Sequence, residues 1–258
     1  TGVQTCALPI CPSGNPGSDF PFVQNNFNDK TWEQVNLPHD WAIKGPFYEG
    51  DKAIVGGGMG RLPTQGVAWY RKKIDLSPAD KDKFIYLDID GAMSYAMVWI
   101  NGVLAGGWPY GYNSFRIDLT PYIKAGGDNQ LAIRIDNPNH SSRWYTGGGI
   151  YRNVWLTKVN PVHIAQWGSF VQSKNVSAAS AEVDLTVEVE NKTNHAVRTE
   201  LITEVYALNN KFEKTGTKAA SFPATVLTVQ ANQKLKTAGS VTIKNPLLWG
   251  PAPLQKYN

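Results

Sequence analysis

Short segments in which apolar and polar residues alternate, separated by turn-forming residues, dominate residues 67–136. In segment 84–90, Ile85, Leu87 and Ile89 fall on one face, which is the period of a half-buried strand. Segment 95–100 runs directly into Asn101-Gly102, a pair that strongly favours a two-residue hairpin turn. The other strands predicted in this half are 67–74, 114–119 and 131–136. No apolar period of 3.6 residues persists long enough for an ordinary helix, so the pattern predicts an all-β fold that begins with a jelly-roll β-sandwich.

The composition changes around Asn160-Pro161, from segments dense in Trp, Tyr and Gly to longer segments of Val, Thr, Lys and Glu. Segment 181–190 alternates valine and leucine with acidic residues and threonine, which predicts a half-buried antiparallel strand. Similar strands are predicted at 197–208, 224–229 and 235–243. We therefore predict a jelly-roll domain over 11–160 and an immunoglobulin-like β-sandwich over 161–245. Residues 246–258, with three prolines around a tryptophan, are predicted to be an extended connector.

The first 27 residues are predicted to contribute little to the fold. Residues 1–10 read like the translation of a sequencing-library adapter, so we interpret them as an assembly scar and exclude them from the fold prediction. Residues 11–27 are rich in Pro, Gly, Ser and Asn, which predicts an extended or poorly ordered lead-in.

Composition and charge exclude several classes of function. The 258 residues are 42% hydrophobic and 18% charged, as in an ordinary globular protein, and no apolar run reaches the roughly 20 residues of a membrane span. The net charge is +4, but lysine and arginine are dispersed, so no nucleic-acid partner is predicted. The four histidines lack ligand spacing and both cysteines lie within the first eleven residues, so no metal site and no cofactor are predicted. A serine-hydrolase elbow, Gly-x-Ser-x-Gly, is also missing from the sequence.

The stretch from Ser142 to Leu156 is the strongest candidate for a functional loop. It combines two arginines, several aromatic residues and the triplet Gly147-Gly148-Gly149. Consecutive glycines allow close backbone approach, and loops held by a rigid sheet often carry binding groups. A purely structural bulge or barrel corner would use glycines in the same way, so both interpretations stand at this point.

A second motif, Leu37-Pro38-His39-Asp40-Trp41, presents a histidine and an aspartate after a proline turn. We predict a structural corner at His39, and at Asp40 either a ligand contact or a hydrogen bond that anchors a loop. The long glycine-rich loop 45–66 lacks the Lys-Ser/Thr of a phosphate loop, and its length indicates that it lines or covers a cleft. Asp88 and Asp90 share a strand face, but acids at a strand end are expected to face solvent rather than to form a catalytic pair.

Together these motifs resemble glycoside hydrolase family 2, and specifically its β-galactosidase-like bacterial members. The resemblance rests on residues 37–41, 68–72, 98–102, 118–122, 143–145 and 149–156, and it extends from Trp32 to the C-terminus. It implies a jelly-roll sugar-binding domain, an immunoglobulin-like domain and then a TIM barrel. The family's two catalytic glutamates lie in that barrel and perform retaining hydrolysis through a covalent glycosyl-enzyme. No catalytic residue is therefore expected in this chain, which should be inactive alone.

The resemblance also implies where this chain touches substrate. Asn153 occupies a position where family members place an Asp or Asn that reaches the barrel's sugar site, and an asparagine can donate to and accept from a sugar hydroxyl. Because residue 153 is not a carboxylate, the sodium site of some members is not expected. Asp40 and Arg143 are the other substrate-binding candidates, although an Arg–Asp pair that holds the loops together would explain both equally well.

The expected function is that of the N-terminal, non-catalytic part of a retaining glycoside hydrolase that removes terminal β-linked sugars, and the resemblance favours a β-galactosidase. Its expected partners are a carbohydrate substrate and its own barrel, and a homo-oligomer is compatible with the resemblance. The alternative is a free-standing carbohydrate-binding module in which residues 108–112, Trp-Pro-Tyr-Gly-Tyr, form a stacking platform. The gene sequence beyond Asn258 separates the two hypotheses.

Overall fold

A computed structural model describes residues 20–50, 61–138, 144–209 and 211–248, together with the backbone of residues 3–6. Within these ranges the chain is built of strands, with two single-turn 3₁₀ helices at Pro21–Val23 and Pro78–Asp80. The strands are β1 (Val3–Cys6), β2 (Glu33–Val35), β3 (Gly66–Asp75), β4 (Phe84–Ile89), β5 (Ala96–Ile100), β6 (Val103–Trp108), β7 (Phe115–Asp118), β8 (Asp128–Asn137), β9 (Val154–Val159), β10 (Val162–Lys174), β11 (Ser180–Asn191), β12 (Val197–Leu201), β13 (Glu204–Leu208), β14 (Lys214–Ser221), β15 (Thr225–Val229) and β16 (Lys234–Lys244). The predicted all-β fold is confirmed. In the described part of the chain, no helix is long and apolar enough to cross a membrane.

The chain divides into two compact units, residues 1–159 and 160–258. The first unit is a jelly-roll sandwich of a six-stranded sheet, in the order β2-β1-β3-β8-β5-β6, and a three-stranded sheet, β7-β4-β9. Its core lies between the two sheets, where Tyr70, Val98 and Ile133 of the larger sheet pack with Leu87 and Ile117 of the smaller one. Each fully buried apolar side chain contributes about 1.5–3 kcal/mol, so this layer is the main source of stability for the unit.

The predicted alternation in β4 and the predicted hairpin after β5 are both confirmed. Ile85, Leu87 and Ile89 are all buried in the core. Asn101 and Gly102 both have positive φ, 53° and 83°, as a type I′ turn requires. The Asn101 side chain also donates to the backbone oxygen of Tyr122 at 3.0 Å, which ties the turn to the neighbouring connection.

The outer face of the larger sheet is covered by residues 20–32, and this corrects the prediction of a poorly ordered lead-in. Trp69 and Trp99 are fully buried there beneath Val23, and the Phe20 ring stacks on Trp69 with centroids 4.9 Å apart. The prediction is wrong for Phe20–Phe27 because the aromatic residues of this segment cover tryptophans that would otherwise face water. Residues 11–19 lie outside the described residues.

Arg71 fastens this covering segment to the sheet. Its side chain is buried, and its Nε donates to Asp29 at 2.9 Å, while its guanidinium also bonds to the backbone oxygens of Phe22 and Gln24. A buried cation is stable only when it is paired and hydrogen-bonded. The bonds from Arg71 meet that condition and fix the segment in place.

Strand β1 belongs to the stretch that we interpret as an adapter scar. Its backbone pairs antiparallel with both β2 and β3. The origin of residues 1–10 stays a prediction.

The second unit is an immunoglobulin-like sandwich. A three-stranded sheet, β10-β11-β16, accompanies two-stranded sheets β12-β15 and β13-β14. Val187 and Val189 of β11 form a core with Leu227 and Val229 of β15, as the alternation in segment 181–190 predicts. The predicted strand 197–208 is two strands, because the chain leaves its pairing with β15 at Leu201 and resumes pairing with β14.

Candidate functional site

The loops at one end of the first sandwich form the candidate site. In the antiparallel sheets, β4, β6 and β8 end where β5, β7 and β9 begin. The described loops at this end are 90–95, 109–114 and 144–153, and residues 36–42 reach them through hydrogen bonds to 148 and 150. We call these four segments the rim.

The glycine triplet is bonded to the His39 corner on one side. The backbone nitrogen of His39 donates to the oxygen of Ile150 at 2.8 Å, and that of Trp41 donates to the oxygen of Gly148 at 2.9 Å. A Cβ on Gly148 would lie 2.6 Å from the Trp41 indole, so the loop lies flat against this ring. Only glycine allows such an approach.

On its other side the triplet is bonded to Met93, which follows β4, and to Asn137, the last residue of β8. Met93 and Gly149 exchange backbone hydrogen bonds of 2.8 and 3.2 Å. The fully buried side chain of Asn137 donates to the oxygens of Gly147 at 3.0 Å and Thr64 at 2.7 Å. These hydrogen bonds fix the backbone of the triplet. It is therefore a structural element, and it also positions the side chains that lie beside it.

Tyr70 is a buried organising residue that the sequence analysis did not single out. Its hydroxyl lies 3.0 Å from Nδ1 of His39 and accepts a long hydrogen bond of 3.4 Å from the nitrogen of Ile150. Burial raises the Tyr70 pKa far above its ordinary value, so the phenol stays neutral and can donate. The signal that could have identified it is its place on the core-facing side of β3, since a buried tyrosine hydroxyl requires a partner.

The His39 corner should make the first sandwich sensitive to mild acid. Burial lowers the pKa of His39 from 6.5, and the nearby carboxylates of Glu33 and Asp40 oppose this shift only in part. Unfolded His39 therefore binds a proton at a pH where the folded residue does not, so stability falls as the pH drops below 6.5. We expect urea unfolding to show a larger loss between about pH 7.5 and about pH 5.5 for the wild type than for His39→Gln. An identical pH dependence in the two proteins would contradict this assignment.

Asp40 anchors the loop that carries Tyr145. Its Oδ1 accepts from the nitrogen of Ala42 at 2.9 Å, and its Oδ2 accepts from the Tyr145 hydroxyl at 2.5 Å. Burial and the Asp40 charge raise the Tyr145 pKa well above its ordinary value, so this phenol remains a donor. Of the two interpretations given for Asp40, the anchoring hydrogen bond is observed.

Asn153 lies just before β9, and its side chain, unlike that of Asp40, is not used to anchor a loop. Its backbone oxygen accepts from the nitrogen of Asp90 at 2.9 Å, while its side chain is exposed. Within the described ranges the structure shows no hydrogen-bond partner for its carboxamide and no bond between Asn153 and Asp40. Arg143, the third predicted residue, lies outside the described residues.

Asp88 and Asp90 are engaged in hydrogen bonds, and Asp88, whose side chain is only 16% exposed, does not face solvent as predicted. Asp88 accepts two hydrogen bonds from Arg116, at 2.7 and 2.9 Å, and one from Thr157 at 2.6 Å. Asp90 accepts from the indole nitrogen of Trp155 at 3.1 Å. No group of three or more His, Cys, Asp or Glu suited to a metal ion occurs among the residues that the structure describes.

Three aromatic side chains of the rim are exposed. Tyr110, Tyr112 and Trp144 are each at least 40% exposed, and the Trp144 indole donates to the Tyr112 hydroxyl at 2.8 Å. The Tyr151 hydroxyl donates to the oxygen of Gly111 at 2.8 Å, which fixes the loop that carries the two tyrosines. Exposed aromatic rings beside hydrogen-bonding groups are suited to ligands with one apolar face.

The fold and the rim define a two-module all-β protein with exposed aromatic rings beside hydrogen-bonding groups. Comparison with known families then identifies it. Residues 62–146 match the glycosyl hydrolase 2 galactose-binding domain-like family, and residues 162–256 match glycosyl hydrolases family 2. The chain belongs to glycosyl hydrolase family 2 and contains its N-terminal sugar-binding-like and immunoglobulin-like domains.

Named relatives agree with this assignment. A β-galactosidase of Bacteroides ovatus is 38% identical over 90% of this chain and 26% of its own length. A β-glucuronidase of Formosa agariphila is 29% identical over 90% of this chain and 26% of its own length. A solved family 2 member from Bacteroides cellulosilyticus is 29% identical, with a TM-score of 0.77, over 96% of this chain and 30% of that chain. The chain thus spans about a quarter to a third of the length of these relatives.

Proposed function

We propose that this chain is the N-terminal, non-catalytic part of a retaining glycoside hydrolase that removes terminal β-linked galactose. The observation that carries the proposal is the match of both sandwiches, in order, to glycosidases that are about three to four times longer. Residues 246–258 would lead into a TIM-barrel catalytic domain. That barrel would supply the acid/base and nucleophile carboxylates, which retaining hydrolysis places about 5–5.5 Å apart.

The bonding of the acidic residues in the first sandwich supports a non-catalytic role. Asp88 is paired with Arg116, Asp90 accepts from Trp155, and Asp40 is bonded to Tyr145 and Ala42. A nucleophile or a general acid must be able to reach the reacting atoms. These three carboxylates are instead used in bonds that join β4 to β7 and β9 and that hold the segments of the rim.

The proposed contribution of this chain is a set of contacts at the edge of the sugar pocket. Asn153 is the first of these, because its exposed carboxamide can both donate to and accept from a sugar hydroxyl. Asp40 would act mainly by fixing the loop that carries Tyr145, and Arg143 is the third proposed contact. Such positioning groups raise the rate when they hold the substrate near its reactive geometry.

Galactose is proposed over glucuronic acid on the strength of the relatives. The β-galactosidase match has 38% identity over 90% of this chain, whereas the β-glucuronidase matches have 37% over 66% of this chain, for a putative enzyme, and 29% over 90%. The matched domain is also described as galactose-binding domain-like.

The test is to assay the purified chain and the protein encoded by the complete open reading frame side by side. Both are given 4-nitrophenyl β-galactoside and 4-nitrophenyl β-glucuronide, and the product anomer is followed by NMR. We expect no turnover by this chain, and retaining hydrolysis of the galactoside by the longer protein at a kcat/KM at least about tenfold above that for the glucuronide. Hydrolysis by this chain alone would refute the non-catalytic role, and a preference for the glucuronide would refute the sugar assignment.

A free-standing carbohydrate-binding module is the second candidate, favoured by the exposed rings of Trp108, Tyr110 and Tyr112. A stop codon directly after Asn258 would support it. An open frame that encodes a further domain of roughly 250 residues, the typical size of a TIM barrel, would support the glycosidase.

A further inference from the structure

Strand β10 of the second unit has one open edge. The order in its sheet is β10-β11-β16, so β10 bonds to β11 on one side. On its other side no partner strand occurs among the residues that the structure describes. An open edge presents backbone N–H and C=O groups that can pair with a further strand. The edge of β10 is therefore a candidate interaction surface.

The side chains of β10 do little to prevent such pairing. Residues 164–173 contain no Asp, Glu, Lys or Arg, and Lys174 is the only one of these in the whole strand. At the other edge of the same sheet, β16 carries Lys234, Lys236 and Lys244. Lysines on an edge strand are a common means of preventing association. Of the two edges, β10 is therefore the one suited to a partner.

Apolar side chains are exposed on both faces of β10. Val171 lies opposite Leu185 of β11, which packs against the core of the unit. Val171 therefore points to the core side and its neighbour Phe170 to the outer side, because successive side chains of a strand alternate. Val171 is nevertheless 61% exposed and Phe170 is 65% exposed. A strand added at this edge would cover apolar surface on both faces.

A bulge confines the regular part of this edge to residues 169–174. The register with β11 shifts before this segment, and in the bulge Trp167 has a φ of 51°. A Cβ on Gly168 would lie 2.7 Å from the oxygen of Ala165, so the chain bends sharply there. Over residues 169–174 the pairing with β11 is continuous. This leaves about 20 Å of regular edge, at roughly 3.3 Å per residue.

The regular edge is complementary to a second copy of itself. When two identical strands pair antiparallel about a two-fold axis, the residue on the axis faces its own copy. With the axis at Val171, Lys174 faces Gly168, and with the axis at Phe170 it faces Gln166. Like charges directly opposite each other would be destabilising. Neither register brings two like charges together, so a second copy meets no electrostatic barrier.

We propose that two copies of this chain associate through antiparallel pairing of β10 with β10. The two three-stranded sheets then join into one continuous sheet with β16 at both outer edges. The partner strand covers Val171 on the core side and Phe170 on the outer side. Association stops at the dimer, because the pairing uses both open β10 edges and leaves lysine-bearing strands outside. This interaction surface does not rest on the proposed glycosidase function.

The test is sedimentation velocity of the whole chain from about 1 to about 300 μM, a range that brackets the Kd of about 1–100 μM expected for a small interface. Val171→Lys and Phe170→Lys each place a lysine on the regular edge, and each should raise the Kd at least about tenfold. Val226→Lys is the matched control, because Val226 is a 52% exposed valine of β15 in the same unit. It should leave the Kd unchanged.

Hydrogen exchange of the wild-type chain locates the contact without relying on a variant. We expect the peptide that covers residues 169–174 to become more protected as the concentration rises, whereas the peptide that covers β16 does not change. A chain that stays monomeric at the highest concentration would overturn the proposal. Wild-type association in both lysine variants, shown to be folded by circular dichroism, would also overturn it, as would oligomers larger than a dimer.

Discussion

Replacing Gly149 with alanine is expected to destabilise the first sandwich by about 3 kcal/mol, the sum of backbone strain and overpacking. Gly149 has a φ of 117°, which side chains rarely adopt. A Cβ there would lie 2.3 Å from the Tyr70 hydroxyl and 2.9 Å from the oxygen of His39. Both neighbours are fixed by the hydrogen bonds of the rim, so neither can move aside without breaking a bond.

Gly216→Ala is the matched control, because Gly216 also has a positive φ, 86°, but nothing lies within 4 Å of the Cβ position. It should cost only the strain of the backbone, about 1 kcal/mol. Urea unfolding of the three proteins, followed by tryptophan fluorescence and far-UV circular dichroism, measures both values. Equal losses in the two variants would mean that the triplet is not packed as described.

The sequence predicted those parts of the fold that depend on local pattern. The alternation in β4 places Ile85, Leu87 and Ile89 in the core, and the hairpin turn at Asn101-Gly102 has the positive φ angles that its residues favour. In both cases a preference of neighbouring residues agrees with the tertiary structure. Where local preference and tertiary structure agree in this way, the pattern of a single sequence is enough to predict the element.

Prediction failed where packing overrides composition. Segment 20–27 contains turn-forming residues, yet Phe20 and Phe22 pack on Trp69, a contact that joins residues almost 50 positions apart. Strand β14 contains mostly polar and small residues and is largely exposed, so its sequence carries little alternation. Strand β14 is stabilised by its pairing with β13, which its own sequence does not reveal.

The candidate site was predictable in outline but not in its bonding. The triplet at 147–149 and the motif at 37–41 could each be recognised, but their contact depends on backbone hydrogen bonds across more than 100 residues. The Asp40–Tyr145 bond spans 105 positions. No local pattern encodes such a contact, which is why Tyr145 and Tyr70 were not among the predicted site residues.

We propose that this chain assists catalysis through its rim while the glycosidic bond is broken by a domain encoded downstream. Steady-state kinetics of the complete enzyme carrying Asn153→Ala tests it most directly. If the exposed carboxamide bonds to the substrate, its loss leaves a sugar hydroxyl without a partner, which costs about 1–3 kcal/mol. This corresponds to a decrease in kcat/KM of roughly 5-fold to 150-fold.

Two further variants test whether the effect comes from the hydrogen bonds of the Asn153 side chain. Asn153→Asp keeps an acceptor and loses the donor, so it should fall between the wild type and alanine. Asn194→Ala, at an exposed position of the second sandwich, should match the wild type. We predict that Asn153→Ala lowers kcat/KM on 4-nitrophenyl β-galactoside while the melting temperature of the enzyme stays unchanged. A kcat/KM of Asn153→Ala equal to that of the wild type would contradict a contact between Asn153 and the substrate.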